Sequence, residues 1–160
     1  MIIDVLDSIK SILQTNLPAK LTSVGTARSL TLPNISKYFL APETAGYFDN
    51  APITDFPLLF IIGERSPEAH LAVPFKHFTH NILLAFLIRD VATPENIYRR
   101  VYAYAEAIER TLNTNYTLNN TVIKAEIISS DYTVALRSGN SFVYGATMEM
   151  EILERVSIGG

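Results

Sequence analysis

The chain contains no cysteine. Disulfide frameworks, thiol nucleophiles and thiolate metal centres are therefore excluded together. Glycine is scarce, seven in 160 residues, and the glycines form neither a phosphate-cradling loop nor a dinucleotide fingerprint. Basic residues are few and dispersed: thirteen Lys and Arg, with Arg99-Arg100 as the one adjacent pair. Against sixteen Asp and Glu they leave a formal charge of −3 and a pI near 5.6. No cationic stripe exists for neutralising a phosphate backbone, so specific nucleic-acid binding is not expected. No apolar run reaches the roughly 18 residues that span a bilayer, and a membrane location is not expected either. The opening decapeptide MIIDVLDSIK has no basic start, and it places Asp4 and Asp7 where a secretion signal wants apolar residues.

What is present is apolar mass. Hydrophobic residues make up 48%, charged residues 18%, and eight Tyr plus eight Phe are spread along the chain. That is enough for one core and one domain over residues 1–160. Ile3 to Asn16 reads as an amphipathic helix, with Val5, Leu6, Ile9, Ile12 and Leu13 at helical spacing. Pro18 is expected to end it, with a short extended piece at Leu21 to Val24. From Gly25 to Asp55 no period persists, and three prolines and two glycines predict a long irregular arm. Its aromatics Tyr38, Phe39, Tyr47 and Phe48 either fold back on their own domain or insert into a neighbouring subunit.

Phe56 to Gly63 (FPLLFIIG) has the fully apolar composition of a strand buried on both faces. Lys76 to Asp90 is a longer strand whose even positions, Phe78 to Ile88, form one apolar face. Its odd positions change from His77, Thr79 and Asn81 to Leu83, Ala85 and Leu87, so its second face starts wet and ends dry. A loop of a dozen residues joins the two strands. Thr93-Pro94-Glu95 marks a helix start, and the helix runs to about Asn113 on a stripe of Ile97, Val101, Tyr104, Ala105, Ile108 and Leu112. Val122 to Ser129, with a possible extension through Leu136, and Ser141 to Leu153 form a closing hairpin around Arg137-Ser138-Gly139-Asn140. Residues 156–160 read as a frayed tail. The expected fold is a two-layer α+β domain: a four-stranded, mostly antiparallel sheet, two helices packed on one face, and a long irregular arm.

The search for chemistry returns absences. His77 and His80 lie on opposite faces of a strand, and His70 falls in a loop, so no metal site is expected. No serine or threonine stands in a nucleophile motif. Glu149 and Glu151 share a strand face, but Lys124 and Glu126 are expected across from them, which is ordinary cross-strand pairing. The expectation is a protein with no chemical step and no cofactor. The apolar second faces of FPLLFIIG and Leu83 to Leu87 form a surface that either the chain's own arm or another copy must cover.

Four features carry a resemblance: the short N-terminal helix, the strand FPLLFIIGE after a proline-containing loop, ILLAFLIRD leading into PENIYRRVYAYAEAIERTL, and the hairpin VIKAEIISSDYTVALRSGNSFVYGATMEMEILER. Together these resemble the tail terminator or tail-completion proteins of tailed bacteriophages and prophages. The resemblance implies a structural virion protein, assembled in the host cytoplasm, that forms a ring, commonly a hexamer. The ring caps the tail tube, ends its polymerisation and offers a surface to a neck or head-connector protein. On that reading Tyr38, Phe39, Tyr47, Phe48, Leu83 and Leu87 make subunit contacts, and Glu126, Glu149 and Glu151 face the channel. The alternative reading is a small-ligand-binding or regulatory α+β domain of ferredoxin-like layout.

Overall fold

Apolar residues three and four apart carry the first helix well past its proline. In the computed structural model, which describes residues 2–42, 56–72, 75–89, 94–138 and 141–157, α1 spans Ile2–Arg28. The expected stop at Pro18 and the strand at Leu21 to Val24 are both overturned. The reason is the stripe Val5, Ile9, Ile12, Leu13, Leu17, Leu21 and Val24, every member of it buried. Each such side chain contributes about 1.5–3 kcal/mol on burial. The two beyond Pro18, Leu21 and Val24, together supply about 3–6 kcal/mol, which offsets the roughly 3 kcal/mol that an interior proline costs. The helix stops at Ser29, which takes the left-handed conformation (φ 56°), while the Leu30 N–H donates to the Gly25 carbonyl at 2.8 Å.

The expected arm is also part strand. Lys37–Pro42 forms β1, which pairs in parallel with β2 (Leu58–Arg65), in register Lys37↔Leu58 to Pro42↔Gly63. The loop expected after β2 is likewise mostly strand. β3 (Glu68–Ala72) continues along the same side of β4 (Phe75–Arg89) after an irregularity at Gly63/Arg65. α2 (Pro94–Thr114) follows, with the expected stripe buried. Then come β5 (Lys124–Ser138) and β6 (Ser141–Ser157), both longer than the sequence suggests.

The sheet order is β1-β2-β4-β6-β5, with β3 beside β4. The fold is α+β, but the sheet is mixed and larger than the four antiparallel strands expected. The element order also departs from the β-α-β-β-α-β ferredoxin-like pattern. All fifteen residues of β4 pair with β6, from Phe75↔Ser157 to Arg89↔Val143. α1 packs over β2, α2 over β5 and β6, and the two helices pack on each other. Even-numbered residues of β4 and β6 meet the helices in the main core, with Tyr104 tilted against Phe86 at 5.8 Å.

Candidate functional site

The face of the sheet away from the helices divides into two halves. At one end Leu58, Phe60, Ile62, Ala85, Leu87 and Val143 form a second buried cluster. Phe39, Phe56, Leu83 and Val134 pack against it, and Phe39 stacks on Phe60 with ring centroids 5.1 Å apart. Of the two covers the sequence leaves open, this cluster is buried within a single chain. Leu87 in particular is 1% exposed and has no surface to offer a neighbour. Leu83, two pleat repeats away on the same face, is half-buried.

The other half of the face is polar, as the change along β4 implies, with Thr79 and Asn81 half-exposed. Here Glu149 and Glu151 are exposed and Glu126 is half-buried. The register bears out Glu126, which stands directly opposite Glu151, and corrects Lys124, which faces Leu153, while Ser129 faces Glu149. Like charges in register are unfavourable. Lys124 Nζ relieves this by ion-pairing along its own strand with Glu126 at 2.8 Å, and Ser129 Oγ donates to Glu149 at 3.1 Å. Asp131 joins the same face, and hydrogen bonds from the Thr133 hydroxyl and N–H hold its carboxyl below the usual carboxylate range. The three glutamates picked from the sequence are thus brought together on neighbouring strands.

The six apolar candidates are not gathered into one surface. Tyr38 is half-buried against the main core, and burial pushes its phenol up to about 12. Phe39 points to the opposite face. Tyr47 and Phe48 lie outside the described residues. Exposed aliphatic side chains among the described residues sit elsewhere: Ile3 (66% exposed) on α1, and, on the two edges of the sheet, Leu40 (38%) on β1 and Ile123 and Ile128 (43% and 52%) at β5. Ile128 occupies the irregularity between Ile127 and Ser129. The sequence gives no direct sign of these, because which strands end a sheet is a matter of long-range pairing.

A polar group that sequence reasoning missed lies on the helix side. His80, a polar residue near a hairpin end, is 1% exposed. Its Nε2 is 2.7 Å from the buried Glu154 carboxylate, and its Nδ1 is 2.7 Å from Ser66 Oγ. The available signal was parity: His80 interrupts the apolar even positions of β4, and Glu154 those of β6. Among the described residues no group of three or more His, Asp or Glu could hold a metal ion. A cleft of about 470 Å³ lies between α1 and β1 and is lined by Lys10, Gln14, Asn34 and Lys37 among others. A smaller one of about 140 Å³ is bordered by Arg89, Arg100 and Tyr104, whose hydroxyl donates to the Pro33 carbonyl at 2.5 Å. Comparison with known proteins finds no matching family model and no matching curated protein.

Proposed function

We propose that the chain is a structural protein of the phage tail-terminator type, whose copies close into a ring, a hexamer by that resemblance. The ring caps a tail tube and presents its outer end to a neck or head-connector protein. The observation that carries this reading is the pair of unlike sheet edges. β1 ends one side with Leu40 exposed, and β5 ends the other with Ile123 and Ile128 exposed. Two different adhesive edges on opposite sides of one subunit make a head-to-tail contact, and repetition of such a contact about an axis closes a ring. Tyr38 and Phe39 belong to the β1 edge.

The acidic half-face supplies the second element. Turned inward, Glu126, Glu149 and Glu151 repel a passing polyanion and keep it moving. Six copies at −3 each carry −18 in all. The test is a mixing experiment followed by native mass spectrometry and negative staining, run with the chain alone and with tail tubes. Wild type forms six-chain particles in at least one of these conditions. Leu40→Asp and Ile128→Asp each abolish them, and an equal mixture of the two variants stops at a dimer through the one intact pair of edges. A wild-type monomer under both conditions, or rings that survive both substitutions, ends the reading. Glutamates found on the outer rim of an otherwise correct ring would remove the channel role alone.

A further inference from the structure

Ser66, His80 and Glu154 come from three separate segments: the link between β2 and β3, the middle of β4, and the end of β6. They meet in a line of two short hydrogen bonds, each 2.7 Å. Where the Glu154 carboxylate accepts from the ring, the ring proton sits on Nε2 and points at Glu154. Nδ1 then keeps its lone pair, and the Ser66 hydroxyl donates into it. Phe78, parallel to the imidazole with centroids 6.0 Å apart, walls one side of the ring. The outcome is a base held in the core behind a hydroxyl whose own residue is exposed to solvent. The order carboxylate, imidazole, hydroxyl is the one that activates serine nucleophiles, with the two ring nitrogens exchanged.

We propose that Ser66 is an activated serine that takes up acyl groups from small activated esters. Ser66 Oγ attacks the carbonyl carbon, and the new Oγ–C bond forms as the bond to the leaving alkoxide or phenoxide breaks. The hydroxyl proton passes to His80 Nδ1 and from there to the leaving oxygen. No oxidant, metal or further reactant is needed. Ser66 is exposed and lines none of the clefts among the described residues, so the donor class is small or extended, with little selection for the acyl chain. Glu154 is a positioning residue that acts through the ring tautomer.

The experiment uses the full chain and p-nitrophenyl acetate, followed by nitrophenolate release, intact mass and peptide mapping. Wild type gains one acetyl group at Ser66 ahead of any lysine or tyrosine. Ser66→Ala, an exposed position that leaves the fold intact, slows the first turnover by about 100-fold, within the usual range for general-base assistance. Nitrogen-15 shifts of the His80 ring supply a readout independent of reactivity: Nε2 protonated and Nδ1 bare in wild type, with the Nδ1-protonated form appearing in Glu154→Gln. Acetylation confined to lysines, an unchanged rate in Ser66→Ala, or an Nδ1-protonated ring in wild type overturns the proposal.

Discussion

Gly145→Ala isolates one close approach between strands. Gly145 sits in β6 between Leu87 of β4 and Val134 of β5. A β-carbon at this position would overlap the carbonyl oxygen of Phe86 and come within 3.1 Å of Leu87 Cδ2. The leucine methyl can move aside, but the carbonyl belongs to an inner strand and cannot shift without disturbing ladder bonds. Chain entropy alone favours alanine over glycine in a strand by about 0.5–1 kcal/mol. Overpacking costs about 1–3 kcal/mol, and a backbone obstruction belongs at the upper end. One or two weakened ladder bonds add about 1 kcal/mol each. The net is a destabilisation of about 3 kcal/mol. At about 2–4 °C per kcal/mol for a domain of this size, the melting temperature falls by about 6–12 °C in calorimetry. Gly63→Ala is the control, since the nearest atoms to its β-carbon are side-chain carbons of Ile2, at 3.4 and 3.5 Å, and Leu6, at 3.7 Å, and its melting point stays near wild type. A Gly145→Ala protein melting at or above the wild-type temperature would refute the close-approach argument.

Other substitutions probe other parts of the fold. Ser29→Gly removes the left-handed penalty at the end of α1 and raises stability by about 1 kcal/mol, read as a higher urea midpoint. Tyr104→Phe deletes the hydrogen bond to the Pro33 carbonyl and lowers stability by about 1 kcal/mol in the same assay. Burial raises the phenols of Tyr38, to about 12, and Tyr104 above their ordinary value of 10.0. The folded state thus holds these protons more tightly than the unfolded chain. That contribution to stability is complete below pH 10 and is lost as pH climbs from 10 toward 12 and beyond. Alkaline melts of Tyr38→Phe should show a shallower loss over that range, and an unchanged slope would count against the burial argument.

Legibility in the sequence followed the range of the forces involved. α2 announces itself through its start signal and an unbroken stripe, and it lies within a residue of its expected bounds. The long strands β4 and β6 declare themselves by alternation. β1 does not, because KYFLAP has no period of its own and becomes a strand only by pairing with β2. The proline in α1 is outweighed by a stripe that continues through Leu17, Leu21 and Val24. In β5 the polar run Ser129-Ser130-Asp131 reads as a break, yet the strand absorbs it with two local irregularities. The acidic face is readable from parity on β6 with Glu126 across from it, whereas Ser129 opposite Glu149 is not, because the irregularity between Ile127 and Ser129 sets that register. The His80–Glu154 pair escaped because polar residues near a hairpin end default to solvent, when their parity placed them inward.

The unbroken pairing of β4 with β6 has a mechanical meaning. Hydrogen bonds of an antiparallel ladder run perpendicular to the strands. Tension along the strand axis therefore strains every rung between Phe75↔Ser157 and Arg89↔Val143 at once, where peeling from one end would break them singly. A molecule built this way yields readily to a sideways tug yet resists stretching along its length, the direction in which a filament under pull would strain it.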